Sequence, residues 1–211
     1  IGRDRSLKLI DELDHKKRYI VVVAQEDGSV EDPKPEDLYA YGTLAQVLKV
    51  FDMPDNSKSA IVQGISRVKI LDYIKLEPYF SAIVESMEDK PITDQLEVDA
   101  LTTNLRQAFD DLMKVAPNLT EEHSGMLKNI QKPNRLADRA ISVITISNQE
   151  KQEILEELDI KKRIEKGLNL ISREIQRIKL GEEIQSEVHD EITKTQREYY
   201  LREQMKAIKK E

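Results

Sequence analysis

The sequence predicts an α+β protein in three zones: a small curled antiparallel β subdomain over residues 1–90, a helical bundle over 91–180, and a long projecting helix over 181–211. Three observations carry this. Short alternating apolar runs recur every 8–15 residues up to about residue 90, which suits antiparallel hairpins rather than βαβ units. From about residue 92 to 157 the pattern changes to amphipathic stretches introduced by capping signals. From Ile160 onward the apolar residues fall in steps of three and four, and no Gly, Asn or Pro follows the last of them, Ile208, to close a helix.

The first zone opens with a helix, roughly Asp4 to Asp14, that places Leu7, Ile10 and Leu13 on one face. The longest apolar run, from Tyr19 to Ala24, reads as a buried strand extending to Gln25. The stretch EDGSVEDPKPED is loop by its Gly, Pro and acid content. LYAYGTLAQVLKVF alternates at Leu44, Leu48 and Val50. MPDNS then turns the chain, and KSAIVQG and SRVKILDYIKL return it, the second with Val68, Ile70, Ile74 and Leu76 in alternation. Gly64 lies between those two patterns, where a bend or bulge is expected. YFSAIVESM completes the set.

In the second zone Asp94 is a candidate N-cap with Glu97 three residues on, and the helix it starts runs to about Val115. Pro117–Asn118 breaks the pattern. A short helix around Glu121–Ile130 follows, then one after Pro133, and Ser147–Glu150 forms a full capping box for another. In the third zone Ile160, Ile164, Leu168, Ile171, Ile175 and Ile178 make one series. Leu180, Ile184, Val188 and Ile192 make a second, and the phase changes beside Gly181. Because Gly costs about 1 kcal/mol against Ala inside a helix, a break or kink is expected there. A helix from Gly181 to Glu211 would be roughly 45 Å long and must project or find a partner.

Charged residues are 35% of the chain and aromatics 5%, with no run of apolar residues long enough to span a bilayer. The absence of cysteine removes disulfides and thiol chemistry and fits a reducing compartment. The net charge of −7 argues against a dedicated nucleic-acid binder; the first 90 residues hold 13 basic against 17 acidic side chains. No glycine pair has the spacing of a phosphate-binding loop, and no G-x-S-x-G elbow occurs. His15, His123 and His189 lie in different zones without a second ligand at helical spacing, so no metal site is expected. The acid pairs Asp110/Asp111 and Glu182/Glu183 are sequence neighbours on helices and do not face each other. On these residues the chain itself is expected to carry no catalytic site and to bind no cofactor.

Two segments carry a family resemblance. The terminal QREYYLREQMKAIKKE resembles the hallmark of Lon-type ATP-dependent proteases of the bacterial kind, matching at Gln196, Arg197, Glu198, Tyr199, Leu201, Glu203, Gln204, Met205, Lys206 and Ile208. The sheet zone resembles the Lon N-terminal domain at Asp37-Leu38-Tyr39, Gly42-Thr43, Ala45, Val47, Gly64 and Arg67. NRLADRAIS and the stretch from Glu150 to Ile175 are similar to the family's helical half. The resemblance implies a PUA-like β subdomain, a helical subdomain and a connecting helix. Family members begin with about two further strands, and continue into a P-loop ATPase module and a Ser–Lys protease domain. The chain, starting at Ile1 rather than Met, is therefore expected to be a piece of a longer protein, with an exposed sheet edge.

The resemblance further implies a homohexameric, cytoplasmic, ATP-driven serine protease, with ATP and Mg bound in the parent outside this region. The partners it implies are unfolded or damaged proteins, neighbouring Lon subunits and the chain's own ATPase module, with no membrane. A receptor for unfolded chains needs accessible apolar or Met-rich surface. The candidate substrate contacts are Phe51, Met53 and Pro54 at the hairpin tip, and Tyr79 and Phe80 at a strand start. The candidate assembly residues are Tyr199, Tyr200, Leu201, Met205 and Ile208, of which Leu201, Met205 and Ile208 share a stripe. Two other readings stand beside this: an RNA-binding PUA-like module, and a purely structural oligomerisation arm.

Overall fold

The expected strands form one four-stranded antiparallel meander in the order β1-β2-β3-β4, described by a computed structural model. The described residues are 1–13 and 18–208, and nothing is described of the side chains of Glu203 and of residues 206–208. Helix α1 (Asp4–Glu12) is followed by β1 (Tyr19–Val22), a 3-10 turn (Pro35–Asp37), β2 (Tyr41–Asp52), β3 (Lys58–Lys75) and β4 (Ser81–Met87). The two patterns on either side of Gly64 are thus one strand of 18 residues, not two. The expected bulge is present: Leu44 pairs with Ser66 and Ala45 with Gly64, so Ile65 is skipped. Leu48, Leu71 and Ile74 are skipped in the same way at the other irregularities.

These bulges curl the sheet. Eighteen residues would span about 59 Å if straight, yet one short helix reaches both ends of β3. Asp11 accepts from the Lys58 ammonium at its start (2.7 Å), while the adjacent Glu12 accepts from the Tyr79 hydroxyl just past its end (2.8 Å). Each skipped residue raises the local twist and bends the strand. At the crossing of β1 and β2 a Cβ on Gly42 would sit 2.7 Å from the Val22 carbonyl oxygen, which belongs to backbone and cannot rotate aside. Gly42→Ala should therefore cost about 2 kcal/mol, read as a lower urea midpoint at unchanged slope; an unchanged midpoint would mean the two strands part freely.

The helical half packs its own core. It consists of α2 (Gln95–Val115), α3 (Glu121–Lys128), α4 (Pro133–Ser142), α5 (Asn148–Glu156) and the first turns of α6 (Ile160–Ile208). Asp94 caps α2 by accepting from the Glu97 N–H (2.9 Å), and the Ser147–Glu150 box caps α5 as expected. Leu105, Phe109 and Leu112 from α2 meet Leu136, Ala137 and Ile141 from α4 and Ile164 and Ile171 from α6. His123 is accounted for locally: its Nδ1 accepts from the Thr120 N–H and closes the start of α3. His15 lies outside the described residues.

The expected break at Gly181 is absent. α6 is continuous for 49 residues, about 74 Å. A single Gly is tolerated because its flanks are good helix formers, no Pro occurs in the segment, and the bundle supplies a ready-made nucleus for propagation. Only the apolar stripe changes sector there. Ile164 and Ile171 are buried, whereas every described side chain from Lys179 onward is exposed.

Candidate functional site

The β2–β3 hairpin tip is closed by Met53 donating its N–H to the Ser57 carbonyl (2.9 Å), with Asn56 in the left-handed region at φ 62°. Asn tolerates that conformation better than most residues. Asp55 accepts from the Ser57 hydroxyl and N–H, which holds its carboxyl below the ordinary range. This rigid turn leaves Phe51, Met53 and Pro54 exposed. Phe51 and Lys49 stand opposite Ser59 and Ile61, so Phe51, Lys49 and Ile61 share a face, and the Lys49 ammonium lies 4.7 Å from the Phe51 ring. Leu48, Phe51, Met53, Ile61 and Val62 are each 40–51% exposed. That is a cluster of apolar side chains on one hairpin, more than the scattered single exposures a surface normally carries.

Tyr79 and Phe80 are only half-buried and belong to a second cluster. Phe80 packs edge-on against Tyr73 at 5.7 Å between ring centres, under the Arg5 guanidinium at 5.0 Å. The Tyr79 hydroxyl donates to Glu12, and this bond followed by partial burial pushes the phenol up. The curl of β3 brings the two candidate groups to the same end of α1. Asp11 holds Lys58, which also meets Asp52 beside Phe51 at 3.2 Å, and the next residue, Glu12, holds Tyr79.

The candidate assembly residues stand on the exposed part of α6. Tyr199, Tyr200, Leu201 and Met205 are exposed, and the Ile208 side chain lies outside the description. The structure adds four others to them: Leu180, Ile184, Val188 and Ile192 are all about half exposed.

Between sheet and bundle lies a charged junction that sequence reasoning missed. Arg67 of β3 donates Nε–H to the Leu155 carbonyl (2.8 Å) and Nη2–H to Asp138 of α4 (2.6 Å). Arg163 of α6 is fully buried, bonded to Asp89 just beyond β4 and, through Nε, to the Glu157 carbonyl at 2.8 Å. Both guanidiniums thus meet carbonyls at the end of α5, where the helix dipole favours cations. Gln152 donates to the Tyr41 carbonyl (3.0 Å) and the Lys90 N–H to the Leu158 carbonyl (2.9 Å), completing the seam. Burial alone would raise the Asp89 carboxyl, but its bonds from Arg163 and Asn134 more than offset this and hold it below the ordinary range. Among the described residues, Arg163 Nη1 has no hydrogen-bond acceptor; Asp138 Oδ1, engaged by Arg67, is 3.6 Å away. An unpaired buried donor costs about 1–3 kcal/mol. The signal for Arg163 was available: it falls three residues after Ile160 and four before Gly167, a cation on the apolar face of its helix.

A family model described as the ATP-dependent protease La (LON) substrate-binding domain matches residues 1–173. The chain belongs to the Lon substrate-binding domain family. It is 42% identical over 212 residues to the Lon protease of Koribacter versatilis (strain Ellin345), covering 100% of this chain and 26% of that protein. The Lon protease of Anaeromyxobacter dehalogenans (strain 2CP-C) is 37% identical over 211 residues, again with 100% of this chain and 25% of that protein. The chain therefore spans about a quarter of the length of these relatives. Two solved structures share the fold. The N-terminal domain of Mycobacterium avium complex Lon protease has a TM-score of 0.54 at 22% identity, covering 72% of this chain and 90% of that one. A Lon N-terminal domain protein from Xanthomonas campestris has a TM-score of 0.55 at 18% identity, covering 80% and 85%. The Lon substrate-binding match ends within α6 at residue 173, where the helix is still packed on the bundle; the exposed arm lies beyond it.

Proposed function

We propose that this chain is the non-catalytic substrate-recognition and assembly region of a cytoplasmic, homohexameric, ATP-dependent serine protease that degrades misfolded and regulatory proteins. The observation that supports recognition is the apolar hairpin of Leu48, Phe51, Met53, Ile61 and Val62, held open by a rigid turn. Unfolded chains differ from folded ones by exposed apolar segments, and such a surface gains more from them. Met53 at the tip adapts its shape to irregular partners. No residue of the chain is assigned a catalytic role. The reading that this chain holds no nucleotide is supported by its glycines, no pair of which has phosphate-loop spacing. On this reading ATP and Mg are held by a module beyond this chain. No described helix is long and apolar enough to cross a membrane.

Titration against a destabilised protein and its folded counterpart tests the recognition role. The chain should bind the destabilised form selectively, and Phe51→Ser with Met53→Ser should weaken that binding by about tenfold, roughly 1.4 kcal/mol. Equal binding to both forms, or none, overturns it. The arm supports the assembly role through its unpartnered stripe of Leu180, Ile184, Val188 and Ile192. Sedimentation of the chain should show self-association that Ile184→Lys with Val188→Lys abolishes, since two charges on the stripe oppose burial. A strict monomer at every concentration removes the arm as a self-contact.

A further inference from the structure

The seam between sheet and bundle holds two guanidiniums and one shared carboxylate in an unequal arrangement. Asp138 Oδ1 is 2.6 Å from Arg67 Nη2, on the sheet, and 3.6 Å from Arg163 Nη1, on α6. Arg67 has a second bond to the α5 terminus through Nε and its side chain keeps some solvent access. Arg163 also bonds the α5 terminus, through Nε to the Glu157 carbonyl, but its side chain has no solvent access and, among the described residues, its Nη1 donor is unpaired. A shift of about 1 Å in the Asp138 carboxylate would satisfy Nη1 at the expense of the Arg67 bond, bringing that contact into hydrogen-bond range. The total of charge-assisted bonds is then unchanged, so the two arrangements are close competitors.

We propose that Asp138 is an exchangeable latch: bonded to Arg67 it fastens the β sheet to the helical bundle at two points, and transferred to Arg163 it leaves Arg67 held only through its Nε bond to the Leu155 carbonyl, about which the sheet can tilt while α6 stays locked. The remaining sheet-to-bundle ties are the Arg67 Nε–H bond to the Leu155 carbonyl and the neutral bonds from Gln152 to the Tyr41 carbonyl and from the Lys90 N–H to the Leu158 carbonyl. They suit a pivot rather than a clamp. Because α6 runs unbroken from Arg163 into the exposed arm, the orientation of the hairpin relative to the arm changes with which guanidinium this carboxylate holds. The inference rests on the junction's geometry alone, and a distance measurement keeps it separate from any binding result.

The chain has no cysteine, so Ser59→Cys on β3 and Ser186→Cys on α6 allow paired spin labels on exposed sites. Pulsed dipolar spectroscopy of the whole chain should give two distance populations. Arg67→Met should shift weight to the second by at least threefold, and Asp138→Asn should do the same, with far-UV circular dichroism unchanged. Arg163→Lys, which keeps the charge near Asp89 but shortens the reach to Asp138, should shift weight to the first. If Arg163→Lys fails to fold, the two other variants decide. A single population of the same mean and width in the parent, Arg67→Met and Asp138→Asn overturns the latch.

Discussion

Phe109→Ala should lower the stability of the helical half by about 3–5 kcal/mol, the largest loss expected from any single truncation here. Phe109 is 2% exposed and sits where α2, α3 and α4 converge. A cavity of about 60 Å³ already adjoins it, lined also by Leu105, Leu127, Leu136 and Ala140. The space left by the ring would merge with that cavity rather than be filled. Its neighbours cannot close over it. The Arg106 guanidinium bonds the Leu127 and Ile130 carbonyls and so fixes the end of α3 against α2, while Gly167 brings α6 so near α4 that a Cβ there would meet Ile141 at 2.9 Å. Leu96→Ala on the same helix is the control. Leu96 is 83% exposed, and its loss should stay within about 0.5 kcal/mol. Urea unfolding followed at 222 nm separates them, and a loss under about 1 kcal/mol for Phe109→Ala would mean the helical core repacks freely.

The contrast between these two leucine-and-phenylalanine sites also marks how far the sequence was legible. Helix starts were readable because capping is local: Asp94 and Ser147 needed only the three residues after them. The turns at Pro117 and Met53–Ser57 were readable for the same reason. Strand presence was readable from alternation, and the bulge at Gly64 from the gap in it. The curl was not. It depends on Ile65, Leu71 and Ile74 being skipped in pairing with other strands, and pairing is a long-range choice that no local pattern encodes. This hid the approach of Tyr79 toward the hairpin tip, both being joined through Asp11 and Glu12 of α1. The junction was illegible for a related reason. Arg67, Asp89, Asp138 and Arg163 are scattered over 97 positions of the chain, and apart from Arg163, a cation on an apolar helix face, each alone reads as an ordinary surface charge. Only folding brings them to one seam, where burial makes each partner matter.

Gly181→Pro should uncouple the arm from the bundle, and Gly181→Ala should stiffen it. Gly181 was expected to interrupt the helix, and α6 instead passes straight through. Two contributions compete at this position. The flexibility of Gly costs about 1 kcal/mol against Ala. Against this stands cooperativity: the residues up to Ile178 are already fixed by packing, so each further residue adds a hydrogen bond without a new nucleus. Proline removes the bond from residue 181 to the Arg177 carbonyl and sets its ring against that carbonyl, a cost of about 3 kcal/mol. Beyond this point no tertiary contact can offset it, since every described side chain of the arm is exposed. Amide exchange should therefore quicken along residues 182–208 in Gly181→Pro while the amides of α2 and α4 stay protected. In Gly181→Ala, where nothing lies within 4 Å of the new Cβ, the same arm amides should slow by about fivefold, the rate equivalent of 1 kcal/mol. Arm exchange that is identical in the Ala and Pro variants would mean the arm does not draw its helicity from the bundle, and that it is ordered only by whatever covers Ile184, Val188 and Ile192.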